Sequence, residues 1–153
     1  MFTNKKILIL GMARSGVAAA KTLIKRDNIV IVNDLKNEDE QDKELVKELK
    51  DLGCKLVLGS HPYDLLDDSF NYVIKNPGIK DDNKIVQQAR ELGIPVINEV
   101  ELAYNLLPKD VTIIGITGTN GKTTTTTITY EIMHKAFGDK VHLTGNIGIH
   151  YVI

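Results

Sequence analysis

The chain has 153 residues, 42% hydrophobic and 25% charged, with a formal net charge of −1. That is the composition of an ordinary globular protein, one domain or two small ones. Near-neutral charge argues against nucleic acid as a main partner. One cysteine, Cys54, excludes an intramolecular disulfide and suits a reducing cytosol, so a cytoplasmic location is expected. No apolar run approaches the about 20 residues that cross a bilayer, and the N-terminus lacks the long apolar segment of a signal peptide. No membrane partner is expected.

Taken in order, the chain reads as repeated β-α units. Residues 7–10 are an apolar run expected to be a buried parallel strand. Gly11-Met-Ala-Arg-Ser-Gly16 is a glycine turn, and the alanine-rich residues 17–26 read as a helix. Residues 29–32 are a second strand, ended by Asn33 and Asp34. A glycine turn followed by an acid at the second strand's tip resembles a dinucleotide-binding start, but Ala13 stands where G-x-G-x-x-G has its middle glycine. Gly11 and Gly16 still permit a tight turn and close helix packing, and Ser15 offers a hydroxyl at the helix N-terminus. Asp34 reads either as a strand-end turn residue or as a ligand contact.

Residues 37–51 carry Leu45, Val46 and Leu49 at helical spacing, and Gly53 ends that helix. Residues 55–58 are a third strand. His61, in the loop after it, lacks a partner at ligand spacing and is expected to be a surface histidine. Residues 71–75 are a fourth strand, and Asn76-Pro-Gly-Ile79 turns at its end, on the sheet edge shared with Gly11 and Asp34. A helix over 82–92 is expected, with Asp81 or Asp82 as N-cap. The proline in 95–97 marks an edge strand. Residues 99–107 form an amphipathic helix closed by Pro108.

The apolar, β-branched run 111–116 then breaks into Gly118-Thr119-Asn120-Gly121-Lys122-Thr123, followed by a helix-length segment. Strand, glycine loop, lysine, hydroxyl and helix is the order a triphosphate site needs. Glycines let backbone N–H groups converge on phosphate oxygens. Lys122 can reach the β- and γ-phosphates, and Thr123 can give a hydroxyl oxygen to Mg2+. The general P-loop pattern asks for glycine at position 116, which is Ile116. After Lys122 the threonines beyond Thr124 are tolerated helix residues. Gly138 and Asp139 end the helix, residues 141–143 read as a strand, and a loop follows through Gly148. His134, His142 and His150 show no paired-ligand spacing.

The loop Thr117-Gly-Thr-Asn-Gly-Lys-Thr-Thr124 resembles that of the Mur ligase and folylpolyglutamate synthase superfamily of ATP-dependent amide ligases. With Gly11-Met-Ala-Arg-Ser-Gly16, Asn76-Pro-Gly-Ile79, Asn98-Glu-Val-Glu-Leu-Ala103 and Gly145-Asn-Ile-Gly148, the chain resembles the N-terminal part of the Mur ligase family, in its D-glutamate-adding branch. The resemblance implies an α/β fold: a Rossmann-like parallel-sheet domain over residues 1–98, then the beginning of a P-loop, ATP-binding central domain over 99–153. It implies that Ser15, Gly16, Asp34, Asn76 and Asn146 contact the UDP-bearing substrate. Leu35 and Lys36 stand where related enzymes often carry threonine and arginine. Gly118, Thr119, Asn120, Gly121, Lys122, Thr123 and Thr124 would hold ATP, with Lys122 catalytic and Thr123 at Mg2+.

The reaction implied is amide formation in peptidoglycan precursor synthesis. UDP-N-acetylmuramoyl-L-alanine would be activated as an acyl phosphate and attacked by D-glutamate. The family's enzymes are much longer, so the chain is expected to be an N-terminal piece, inactive alone, with residues 110–153 either poorly ordered or buried in a self-association contact of the incomplete central domain. Three other readings share features of the sequence: an NAD-dependent oxidoreductase, a folylpolyglutamate synthase relative, and a non-catalytic nucleotide-binding module.

Overall fold

The computed structural model describes residues 2–145. Two compact units emerge, divided between Leu107 and Pro108.

The first unit is built on five parallel strands: β1 (Lys6–Leu10), β2 (Ile29–Asp34), β3 (Lys55–Leu58), β4 (Tyr72–Lys75) and β5 (Val96–Asn98). Their spatial order is β3-β2-β1-β4-β5. Parallel strands need crossovers; helices α1 (Arg14–Ile24), α2 (Lys43–Asp51) and α3 (Lys84–Glu91) supply three of them, a helix-free loop over 59–71 joins β3 to β4, and α4 (Glu99–Leu106) follows β5. Both faces of the sheet are thereby covered, which is why β1 is apolar without alternation. Ile7 and Ile9 pack with Val17, Leu23, Leu49 and Leu102 on the face of α1, α2 and α4. Leu8 and Leu10 pack with Phe70, Ile85, Val86 and Ile94 on the face of α3. A buried polar clip ties the sheet's lower rim: Asn28 accepts from Lys5 N–H at 2.9 Å and donates to the carbonyls of Phe2 and Leu23.

Helix boundaries differ from the expected ones at three helices. The first helix starts at Arg14, not at 17. The acidic stretch expected to open a long second helix is a separate 3-10 turn, Glu38–Glu40, and Asp42 caps α2 by accepting from the N–H groups of Glu44 and Leu45. Asn83, not Asp81 or Asp82, caps α3 by accepting from Ile85 N–H. Asp81 is engaged instead with Lys75 and Arg90. The expected domain break at 98 also falls inside the first unit. Leu102 is fully buried in its core, so α4 belongs to it.

The second unit holds α5 (Lys122–Phe137) and a 3-10 turn, Gly138–Lys140. The strands expected at 111–116 and 141–143 do not form. Strand character in a sequence is realised only when a neighbour completes the ladder. Neither segment pairs with another among the described residues. Val111, Ile113 and Ile114 are about half exposed, and α5 buries no residue.

Candidate functional site

The carboxyl ends of β1, β2, β4 and β5 form one edge of the first unit, where ligands bind in open α/β sheets. At the end of β1 the chain turns through Gly11, whose φ of +96° suits glycine and whose N–H donates to Asn33 O. The next N–H, that of Met12, donates to Asp34 Oδ2 at 2.7 Å, and Asp34 Oδ1 accepts from Lys36 N–H. Asp34 thus organises two adjoining turns. Ala13 precedes α1 without a side-chain cap, and the helix's first turn holds no acid. Its leading N–H groups and positive dipole end face this edge uncompensated by a side chain. Gly16 is obligatory: a Cβ there would lie 2.1 Å from Gly11 O.

Three loops meet on one carboxylate. Ser15 Oγ donates to Glu99 Oε1 at 3.0 Å. Asn76 Nδ2 donates to Ser15 Oγ at 3.1 Å and to Glu99 Oε1 at 3.3 Å, while Asn76 Oδ1 accepts from Gly78 N–H. Glu99 is only 4% exposed, and its Oε2 has no partner among the described residues. A half-satisfied buried carboxylate costs free energy. Here it fixes the hydroxyl of Ser15 and the amide of Asn76.

The structure therefore brings Ser15, Gly16, Asp34 and Asn76 to one edge. Glu99 was missed as a site residue, though its position after β5 is the strand-to-helix turn that singled out Asn76. His61 is corrected: it is part-buried, and its Nδ1 bonds Asn33 Oδ1. Asn33, fully buried, was read merely as a strand end. Cys54 is a buried thiol beside the sheet, pushed up by burial to about 11.

In the second unit, Gly121 caps α5 with φ +76°, and Gly118 has φ +154°. No atom beyond their immediate neighbours stands where a Cβ on Gly121 would be. Lys122 Nζ donates to the carbonyls of Gly118 and Thr119, closing a ring around the loop. Thr126 and Thr127 turn their hydroxyls back to the carbonyls of Lys122 and Thr123. Asn146 lies outside the described residues. No group of three or more metal-ligating His, Cys, Asp or Glu residues occurs among the described residues.

The sequence profile of the Mur ligase MurD-like N-terminal domain matches residues 5–98. The chain belongs to that family. The match spans all five strands and every residue of the carboxyl-edge site except Glu99, the residue directly after its end. UDP-N-acetylmuramoylalanine--D-glutamate ligase of Streptococcus mutans serotype c is 52% identical over 147 residues, 96% of this chain and 32% of that protein. The protein of the same name from Lactococcus lactis subsp. lactis is 54% identical over the same shares. The chain spans about a third of the length of the curated relatives it matches. Among solved structures, UDP-N-acetylmuramate-alanine ligase MurC of Thermotoga maritima superposes with a TM-score of 0.57 at 27% identity, over 86% of this chain and 30% of that one. A UDP-N-acetylmuramate:L-alanyl-gamma-D-glutamyl-meso-diaminopimelate ligase from Neisseria meningitides, 24% identical with a TM-score of 0.55, shares the fold over 86% of this chain and 40% of its own. These findings favour none of the three other readings. No helix among the described residues is long and apolar enough to cross a membrane.

Proposed function

We propose that this chain carries the UDP-holding domain and the ATP loop of a cytoplasmic amide ligase that adds D-glutamate to UDP-N-acetylmuramoyl-L-alanine in peptidoglycan precursor synthesis. The single observation that carries the reading is the convergence of Ser15, Asn76 and Glu99 beside the uncapped start of α1, in a chain half identical to relatives bearing that name. The diphosphate lies against the leading N–H groups of α1, where backbone donors and the helix dipole offset its charge. Gly16 keeps that approach free of a side chain. Asp34 holds the turns that receive the nucleoside. Asn146 contributes a further substrate contact.

The loop from Gly118 to Thr124 fits a polyphosphate: two positive-φ glycines, a lysine and a helix start with no side-chain cap. ATP with Mg2+ supplies activation of the L-alanine carboxylate as an acyl phosphate. Lys122 would neutralise phosphate charge, and Thr123 would offer its hydroxyl oxygen to the metal. Catalysis rests on geometry more than on one reactive side chain, so residues outside this chain are needed for turnover.

Titration calorimetry of the chain with UDP tests the reading. UDP binds, and Gly16→Ala abolishes binding, because the added methyl pushes α1 from the Gly11 turn. Equal affinity in the variant would contradict it. A phosphate-release assay with ATP, Mg2+, D-glutamate and UDP-N-acetylmuramoyl-L-alanine should show no turnover by this chain. In a full-length relative, the substitution matching Lys122→Ala should abolish turnover and leave folding intact.

A further inference from the structure

The loop after β3 is locked onto the tip of β2. Gly59 N–H donates to the carbonyls of Asp34 and Lys36, both at 3.0 Å. Asn33 Nδ2 spends its two hydrogens on Val57 O and Ser60 O, each at 2.7 Å. Its Oδ1 is then an acceptor only, so the ring nitrogen it meets, His61 Nδ1, must carry the proton. In the neutral ring the other nitrogen, Nε2, is a bare acceptor with no protein partner among the described residues. Burial lowers the His61 pKa from its ordinary value, and the Asp34 charge opposes that only in part, so the ring is neutral near pH 7. A histidine whose tautomer is dictated by a fully buried amide is set up to read one hydrogen-bond pattern.

Its place in the fold says what it reads. In a sheet ordered β3-β2-β1, a nucleotide whose phosphates sit at the start of α1 passes its sugar over the tip of β2. Its base then reaches the carboxyl ends of β2 and β3, where the loops holding Leu35 and His61 meet. Leu35, 62% exposed there, offers an apolar surface for a ring. Resting on the UDP reading above, we propose that His61 is a base-specificity residue whose Nε2 accepts the N3–H of a uracil ring. Cytosine presents a bare lone pair at N3, so two acceptors would face each other. The hydrogen bonding that fixes Nδ1 thereby selects uridine over cytidine nucleotides without any charge.

The test is calorimetric titration of the intact chain with UDP and with CDP, which carry the same charge and sugar. The wild type should prefer UDP by about tenfold or more, since a site built for a donor rejects a ligand lacking it. UDP methylated at N3, which lacks the donor, should bind as weakly as CDP. His61→Asn keeps a donor for Asn33 Oδ1 but has no Nε2. It should hold the wild-type unfolding midpoint while the UDP-to-CDP ratio falls toward one. A ratio near one in the wild type, or an unchanged ratio in His61→Asn, overturns the assignment and leaves the UDP site standing. Failure of UDP to bind the wild type at all overturns both.

Discussion

The run 7–10 and the run 111–116 look alike in sequence and end differently. Both are short, apolar and rich in β-branched residues. Residues 7–10 become the central strand, flanked by β2 and β4, and every side chain is fully buried. Residues 111–116 form no strand, and Val111, Ile113 and Ile114 stand about half exposed. Strand propensity is high in both, and neighbours are what differ. Burial on both faces, not intrinsic preference, converts a short apolar run into a parallel strand.

The sharpest way to break this contrast is a pair of truncations. Leu8→Ala removes a fully buried side chain between β1 and α3 and should cost about 2–5 kcal/mol in urea unfolding. Ile132→Ala, on a 63% exposed position of α5, should stay within about 0.5 kcal/mol. Equal costs would refute the contrast. Next in size is Asn28→Ala. It leaves Lys5 N–H and the Phe2 carbonyl without their partner, while Leu23 O keeps Arg26 N–H, and should cost about 1–3 kcal/mol by the same melts.

A smaller effect belongs to Cys54. The unfolded thiol releases its proton near 9.0, the folded one at about 11. Below pH 9 both states keep the proton and stability is unaffected. As pH rises from 9 to about 11 only the unfolded state ionises, so stability falls. The fall in urea midpoint between pH 8 and pH 10 should be shallower in Cys54→Val, and a thiol reagent at pH 8 should label Cys54 only as fast as the chain opens. The smallest is Thr126→Ala. Removing a hydroxyl that bonds back to Lys122 O should raise the helicity of α5 slightly, by a few tenths of a kcal/mol in circular dichroism. A loss of helicity would show that the bond supports the helix.

Much of the first unit was legible because its signals are local or periodic. Apolar runs gave the strands, and glycine turns placed Ser15, Asp34 and Asn76 on one edge. Proline in 95–97 marked an edge strand, and β5 is one. What stayed hidden depends on contacts distant in sequence. Glu99 meets Ser15 across 84 positions, and Asn33 meets His61 across 28. No spacing rule reaches that far. Caps were misplaced by one or two residues because Asp81, Asp82 and Asn83 are all good N-caps. Tertiary ion pairs with Lys75 and Arg90 took Asp81 out of that competition. The second unit misled for the opposite reason: its local signals were strong, and the partners they call for are not among the described residues.

The central claim is that the first unit by itself presents the nucleotide edge. Amide hydrogen exchange of the whole chain, with and without UDP, tests it most directly. Residues 7–10 should exchange slowly in both conditions. UDP should add protection at residues 11–16, 34–36 and 76–79, and none at 111–116. Protection by UDP confined to residues after 108 would contradict the account.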